Sequence, residues 1–313
     1  MKSSKITTDE AQSIILVMGP TASGKTDLAI NIAKACDWEI INGDAMQIYS
    51  EIPIITAQPT LEEKRSIPHH LFGYKLGSEP CSVADWLVET RHKISEIHKR
   101  NKVPIIVGGS GMYFKALTHG LSNIPNIEEA VRIYSRNLIQ EIGKDEFYKL
   151  ACTRDPRVSD NIKPGDSQRM IRAFEVIHQT GKSIFDWHDQ FQSTMENHNN
   201  YLQIHLDIPR NILYEKINKR FHIMVESGAL EEAKLIMEKY DDHPYSINKA
   251  HGIPELKNYL KGTCSKDQAI ERAQIVTRQY AKRQVTWLRH QMNDLQKIIY
   301  RSPEDFQAII KIL

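Results

Sequence analysis

The chain has 313 residues, which is long enough for about two domains with a substantial core. Hydrophobic residues make up 41% and charged residues 26%, values that are ordinary for a globular protein and exclude a chain dominated by disorder. The formal net charge of +2 neither requires nor excludes a polyanionic partner, so only local clusters of basic residues can indicate one.

Cysteine usage and hydropathy indicate where the protein resides. The four cysteines lie far apart with no C-x-x-C pair, which indicates neither a disulfide framework nor a zinc site. The segment 1–13 is polar, and no apolar run approaches the ~18 residues of a membrane span. We therefore expect a cytoplasmic protein with reduced thiols and no membrane attachment.

The first predicted elements are a strand over Ile14–Met18, a glycine-bounded loop and a helix that includes Leu28. The loop fits the pattern G-x-x-x-x-G-K-[ST], which between a strand and a helix is typical of a phosphate-binding loop. Its glycines let backbone N–H groups converge on an anion at the helix N-terminus. Lys25 adds a cation, and the Thr26 hydroxyl is a ligand for Mg²⁺. The alternative is a purely structural glycine-rich turn between the strand and the helix, with a solvated lysine.

A second short strand, which begins near Trp38, ends at Gly43-Asp44. Ligands of open α/β sheets lie beyond the carboxyl ends of the strands, so Asp44 is expected on the same edge as the phosphate-binding loop. Asp44 could equally cap the next turn. The segment 53–80 has little periodicity and is predicted to be a long loop.

A helix is predicted from the capping residues Ser82 and Asp85 to about Asn101. The stretch 103–114 then repeats the strand–glycine–helix pattern and exposes Ser110 on the ligand edge. Its Gly108-Gly109 stands where a motor ATPase usually has an acidic residue, which argues against a power stroke driven by ATP hydrolysis.

From about residue 124 to 198 the strand signals stop, and helices are predicted over 127–141, 145–151 and 167–179. Basic residues cluster here, either as a solvated face or as an RNA-binding surface. A strand over 201–208 returns to the sheet. We therefore predict a discontinuous core of residues 1–123 and 199–313 with a helical insertion domain over 124–198.

The last third is predicted to be helical, over 210–227, 230–240, 254–261 and 266 to about 296. In the final helix an apolar stripe is expected to face the core and the cations to remain outside. The stripe comprises Ala273, Val276, Tyr280 and Trp287, and the cations are Arg272, Arg278, Lys282, Arg283 and Arg289.

Taken together, an ordered series of motifs resembles the tRNA dimethylallyltransferases over nearly the whole chain. The series consists of GPTASGKT (19–26), GDAMQIY (43–49), PHHL (68–71), VGGSGMY (107–113), DSQRMIRAFEV (166–176), KRF (219–221) and RQYAKRQVTWLR (278–289).

The resemblance implies a P-loop kinase-like core, an α/β fold with a parallel sheet, that binds dimethylallyl diphosphate in place of ATP. Such enzymes attach the dimethylallyl group to N6 of adenosine 37, beside the anticodon, in tRNAs that read codons beginning with U. The resemblance further implies Mg²⁺ as cofactor and the tRNA anticodon loop as partner. The C-terminal zinc finger of eukaryotic relatives is missing, which fits an enzyme of the bacterial type. We also expect a monomer.

Site residues are carried over position by position. Asp44 matches the general base, Arg220 an arginine facing the leaving diphosphate, and Lys25 a catalytic cation. The diphosphate would be held by Gly19, Pro20, Thr21, Ala22, Ser23, Gly24, Lys25 and Thr26, with Thr26 on Mg²⁺. Positions matching tRNA contacts are Asp44, Ala45, Met46, Gln47, Ser110, Arg132, Gln168, Arg169, Met170, Ile171, Arg172, Arg278, Lys282 and Arg283.

The sequence departs from the family pattern in two places. Residues 54–59 read IITAQP where the family commonly has IGTAKP, and residues 251–255 read HGIPE where it has IGY[RK]E. The sequence leaves two other functions open. A small-molecule kinase would hold ATP in the loop and use Asp44 to activate a hydroxyl. An RNA-binding protein would hold a structural nucleotide there.

Overall fold

The structure is a computed structural model that describes residues 13–191, 200–241, 243–292 and 296–313. Its centre is a six-stranded parallel sheet in the order β3-β2-β4-β1-β5-β6. The strands are β1 Ser13–Met18, β2 Glu39–Asn42, β3 His69–His70, β4 Pro104–Gly108, β5 Asn200–Leu206 and β6 Lys297–Tyr300. The α/β class and the return of the late strand to the sheet are thereby confirmed.

Helices connect these strands and also extend beyond the sheet. They are α1 Lys25–Cys36, α2 Leu61–Ser66, α3 Val83–Lys99, α4 Gly111–His119, α5 Glu129–Ile142, α6 Lys144–Arg154, α7 Arg157–Asn161, α8 Ser167–Thr180, α9 Ile184–Asp189, α10 Arg210–Glu226, α11 Ala229–Tyr240, α12 Ile253–Leu260, α13 Lys266–Gln291 and α14 Asp305–Ile312. A 3-10 helix spans Ser246–Lys249. No helix in the described ranges combines the length and the apolarity needed to cross a membrane.

Apolar runs at the centre of the sheet explain its position in the core. Ile14–Met18 in β1 are buried, as is all of β4, as expected for parallel strands covered on both faces. One side packs against α1 and against Ile309 of α14. A separate apolar cluster joins α10–α13 to the stretch 48–55. The parallel arrangement brings the ends of β1, β2, β4 and β5 to one edge, called the carboxyl edge below.

The described chain divides into two compact units. The first combines the sheet with α1–α4 and α10–α14. The second is helical, contains α5–α9, and has its own core around the fully buried side chains of Phe147, Val158 and Met170.

Sequence patterns located the long elements better than the short ones. The segment predicted as a loop over 53–80 contains α2, whose capping box pairs Thr60 with Glu63, and β3. The last long helix ends at Gln291 and not near 296, and β6 and α14 follow it. The short helices α7 and α9 were also not predicted. Such elements are too short to show a period, and their stability comes from tertiary packing.

Candidate active site

The phosphate-binding loop follows β1 and ends where α1 begins at Lys25. Gly24 has φ 87°, a left-handed conformation that glycine adopts without strain, at the N-cap of α1. The loop is tightly closed, since the Ser23 N–H donates to the Pro20 carbonyl at 3.2 Å. The first N–H groups of a helix have no intrahelical acceptor, so the start of α1 presents donors to an anion.

Lys25 is buried beneath this loop. Its Nζ donates to the Pro20 carbonyl at 3.3 Å. Burial lowers the pKa of Lys25 to about 8, while the charge of Asp44 opposes the shift and that of Arg220 adds to it. A cation that has lost its water in this way gains most from an anion bound beside it.

Arg220 reaches the same place from α10. Its guanidinium donates to the Thr21 hydroxyl. Burial lowers the pKa of Arg220, and the nearby Asp44 carboxylate raises it. The structure therefore brings together Lys25, Arg220 and Asp44, as the sequence comparison predicted, although α10 lies far from the loop in sequence.

Asp44 is held at the end of β2 by a side chain that the sequence analysis did not single out. The fully buried Asn42 accepts from the Asp44 N–H at 2.8 Å and donates to the Asp44 carbonyl at 2.9 Å. One Asp44 carboxylate oxygen accepts from the Met46 N–H at 2.9 Å. The turn-capping alternative is thus correct, and it coexists with the site location because a carboxylate has two oxygens.

Two cavities adjoin at these residues. The larger, about 410 Å³, lies over the phosphate-binding loop and is lined by Lys25 and Thr26. The smaller, about 200 Å³, lies between the carboxyl edge and helices α10 and α13. Thr21, Asp44, Thr56 and Arg220 line both cavities.

The smaller cavity has a largely apolar wall from Met46, Phe221 and Met224. His251 and Tyr280 also line it, with their ring centroids 4.6 Å apart. Burial and the charge of Arg283 lower the pKa of His251, although Asp44 opposes the shift, so that this imidazole is neutral at physiological pH. The larger cavity therefore contains an anion site formed by Lys25 and Arg220 beside the loop, and at Asp44 it meets the smaller cavity, called the apolar chamber below.

The donor set at the loop fits Mg²⁺ of the kind that accompanies phosphates. Within the described residues no cluster of three or more histidine, cysteine or acidic side chains could hold a metal ion by itself. Mg²⁺ in phosphate sites typically needs only one or two protein oxygens, because phosphate and water supply the rest. The Thr26 hydroxyl, which lines the larger cavity, is suited to that role.

Among the predicted tRNA contacts of the first unit, several lie at this site. Ala45 and Ser110 line the smaller cavity, and the Ser110 hydroxyl accepts from the Ala45 N–H at 2.9 Å. Gln47 instead uses its side-chain amide to hold the Thr56 carbonyl at 2.8 Å. Glu232, which sequence reasoning missed, holds the same loop by accepting from the Ile54 N–H at 2.7 Å.

The predicted contacts of the second unit lie on α5 and α8. Arg132 is half-buried and pairs with Glu129, whereas Gln168 and Arg169 are exposed in the first turn of α8. Ile171 and Arg172 are half-buried. Met170 is fully buried in the core of the unit, so its side chain packs there and is not available to RNA.

The buried face of α13 differs from the predicted apolar stripe. Ala273 is buried, but Val276, Tyr280 and Trp287 are only partly so, and the buried face includes three polar side chains, namely Gln274, Thr277 and Gln284.

The cations of α13 divide into two groups. Lys282 and Arg283 are exposed as predicted. Arg278 is half-buried and donates to the Asn218 side-chain oxygen at 2.6 Å, so it is not one of the outer cations.

Comparison with known proteins identifies the family. The family model for IPP transferase matches residues 47–291. The tRNA dimethylallyltransferase of Pelagibacter ubique is 42% identical, and the match covers 93% of this chain and 92% of that protein. The tRNA dimethylallyltransferase of Ehrlichia chaffeensis is also 42% identical, covering 95% of this chain and 97% of that one.

Solved structures lead to the same family. The tRNA isopentenylpyrophosphate transferase of Bacillus halodurans matches with a TM-score of 0.68 and 32% identity, covering 96% of this chain and 94% of that one. A eukaryotic dimethylallyltransferase acting on tRNA matches with a TM-score of 0.79 and 27% identity, covering 95% of this chain and 76% of that one. The chain thus belongs to the IPP transferase family, together with these tRNA dimethylallyltransferases.

Proposed function

We propose that this protein transfers the dimethylallyl group of dimethylallyl diphosphate to N6 of adenosine 37 in tRNAs that read codons beginning with U. The products are N6-isopentenyladenosine in tRNA and diphosphate. One observation carries the proposal: the anion site of Lys25 and Arg220 adjoins an apolar chamber, and Asp44 lies where they meet. A diphosphate joined to a short hydrocarbon likewise has an anionic part and an apolar part.

The cations and N–H groups at the phosphate-binding loop act on the leaving group. As the C–O bond of the donor breaks, negative charge grows on the departing diphosphate. The N–H groups at the start of α1, the Lys25 ammonium and the Arg220 guanidinium stabilise that charge, because they are positioned before the reaction begins. The Thr26 hydroxyl would hold Mg²⁺ beside the diphosphate, where the ion would further neutralise that charge.

The Asp44 carboxylate acts on the amine that accepts the dimethylallyl group. An exocyclic adenine amine is a weak nucleophile, and it gains a bond to carbon while losing a proton. Asp44 accepts that proton, which leaves the modified amine neutral. The apolar side chains Met46, Phe221 and Met224 keep water, a competing nucleophile, away from the allylic carbon.

The acceptor must be brought out of its stack. Adenosine 37 belongs to a structured anticodon loop, and chemistry on a stacked base requires its extrusion. Lys282 and Arg283 are exposed on α13, and Tyr280 on the same helix lines the apolar chamber. Cations of this kind bind RNA phosphates, so they would hold the tRNA near the site. The remaining predicted tRNA contacts, including Arg169, stay predictions, as do the monomeric state and the cytoplasmic location.

The test supplies the protein with Mg²⁺, unmodified tRNA and either dimethylallyl diphosphate or ATP. Digestion of the RNA and mass spectrometry then detect an N6-allylated nucleoside. We expect this product with dimethylallyl diphosphate only. Consumption of ATP without the product would favour a small-molecule kinase, and binding of tRNA with neither reaction would favour an RNA-binding protein.

A further inference from the structure

The inner face of α13 packs directly onto the loops of the carboxyl edge. Tyr280, Gln284 and Trp287 are spaced four and three residues apart, so they share one face of the helix. Gln284 is only 6% exposed although it is polar. A buried amide at this position needs hydrogen-bond partners, and those partners show which parts of the site α13 keeps in place.

Both ends of the Gln284 amide are bonded to loops of the site. The Thr21 N–H donates to Gln284 Oε1 at 2.8 Å, and Gln284 Nε2 donates to the Gly109 carbonyl at 2.9 Å. The amide therefore joins the phosphate-binding loop to the loop between β4 and α4. Thr21 is also the residue whose hydroxyl accepts from Arg220. One side chain thus fixes the backbone of the residue that holds the site's arginine.

Two glycines make this contact possible. A Cβ atom at Gly109 would lie 2.1 Å from Gln284 Nε2, and one at Gly111 would lie 2.4 Å from the Trp287 ring. At both points side chains of α13 therefore pack directly against the main chain, at Gly109 and at Gly111. Such close packing leaves little freedom for the amide or for the loop beneath it.

We propose that Gln284 is a positioning residue, which sets the geometry of the phosphate-binding loop and of Arg220 through Thr21. It contacts no reacting atom. Its loss would leave the half-buried Thr21 N–H and Gly109 carbonyl without these partners, and the loop would relax to pair them elsewhere. For its catalytic consequence this inference rests on the proposed function, whereas its consequence for anion binding does not.

The experiment compares Gln284→Leu with Gln274→Leu. Gln274 lies on the same helix, is 8% exposed, and donates to the Asn218 carbonyl at 3.3 Å, on α10 and away from the loops. The measurements are the Kd of inorganic pyrophosphate with Mg²⁺ by calorimetry, the Kd of tRNA, kcat and KM for dimethylallyl diphosphate, and Tm.

For Gln284→Leu we expect pyrophosphate affinity to fall about tenfold, the effect of losing one buried hydrogen-bond partner, with kcat reduced as well. The Kd of tRNA should stay within about twofold, because the outer face of α13 is unchanged. Gln274→Leu should lower Tm similarly and leave pyrophosphate affinity unchanged. Equal losses of pyrophosphate affinity in the two variants, or none in Gln284→Leu, would overturn the proposal.

A double-mutant cycle with Thr21→Val separates positioning from general stability. If Gln284 acts through Thr21 and Arg220, the two substitutions remove one arrangement, and their effects on pyrophosphate affinity are non-additive. Additive effects contradict the proposal. Should Gln284→Leu fail to fold, Gln284→Met serves in the same cycle, since it is close to glutamine in length and removes both the acceptor for Thr21 and the donor to Gly109. A wild-type protein that binds pyrophosphate but transfers no dimethylallyl group refutes the proposed function and leaves this comparison valid.

Discussion

Two pairs of cations within the first unit have opposite surroundings. Lys25 and Arg220 lie under and beside the phosphate-binding loop, and burial lowers the pKa of each. Lys282 and Arg283 project from α13 into solvent. Lys25 is buried and Arg220 is half-buried, so these two cations have given up part of their hydration, and a bound anion restores some of what folding removed. The exposed pair keeps its hydration and attracts polyanions at a distance, in competition with salt.

The difference shows how one protein can bind two kinds of phosphate. The cations beside the phosphate-binding loop favour a small anion that fits between them, because the surrounding protein sets their geometry and removes part of their hydration. An exposed pair selects little by itself and adds attraction for a long phosphate backbone. The proposed reaction needs both kinds, and the predictions below test whether the cations divide in this way.

The largest effect is expected at Asp44, the carboxylate whose charge acts on both Lys25 and Arg220. Asp44→Asn should lower kcat by about a thousandfold, within the range for loss of a general base, with the Kd of tRNA almost unchanged. Steady-state kinetics and filter binding measure the two quantities. The control is Asp207→Asn, which makes the same change at an exposed residue just after β5 on the same edge. Unchanged turnover in Asp44→Asn would remove Asp44 from the base role.

The next effect concerns the charge of Lys25. Burial lowers the pKa of Lys25 to about 8, so its side chain is mostly cationic below that pH and mostly neutral above it. The affinity for pyrophosphate should therefore fall as pH rises through about 8. Calorimetry from pH 6.5 to 9.5 should show a steeper fall for the wild type than for Lys25→Arg, whose guanidinium stays charged. Parallel curves for the two proteins would show that another group titrates.

A smaller effect is expected from the exposed pair. Replacing Lys282 and Arg283 by alanine should weaken tRNA binding and reduce the slope of log K against log salt by about 1.4, or ~0.7 for each lost phosphate contact. Pyrophosphate affinity should not change. Arg272→Ala removes an exposed cation from an earlier turn of the same helix and serves as the control. An unaltered slope in the double variant would mean that these cations only solvate the surface.

The smallest effect on RNA binding is expected from Arg278. This side chain pairs with Asn218 and lies over the Tyr214 ring at 5.8 Å. Arg278→Ala should therefore leave the salt slope unchanged within error and lower stability by about 1 kcal/mol, a typical value for one lost hydrogen bond. Thermal denaturation and a salt titration of tRNA binding provide the test. A slope reduced as much as by the loss of Lys282 would place Arg278 among the outer cations.

The parts of the site that could be predicted are those encoded locally. The phosphate-binding loop is a continuous pattern between a strand and a helix, and Asp44 follows the next strand, so the rule for parallel sheets places both on one edge. Arg220 could be named only by resemblance to a family. Its contact with Thr21 spans 199 residues, and no periodicity encodes such a contact.

The inner face of α13 shows why the rest could not be predicted. Sequence patterns equate a buried face with an apolar stripe, whereas this helix buries Gln274, Thr277 and Gln284. They are satisfied by backbone groups, including those of loops and of another helix, whose position only the assembled fold defines. Asn42 was missed for the same reason, because an asparagine at the end of a strand usually indicates only a turn.

The bond between Thr21 and Gln284 also affects how the protein matures. The two residues are 263 positions apart, so a chain emerging from the ribosome has its glycine-rich turn long before it has the helix that fastens it. A nascent chain that ends before α13 lacks this fastening. Only a chain that has been synthesised through α13 can hold the phosphate-binding loop in the arrangement seen in the finished fold.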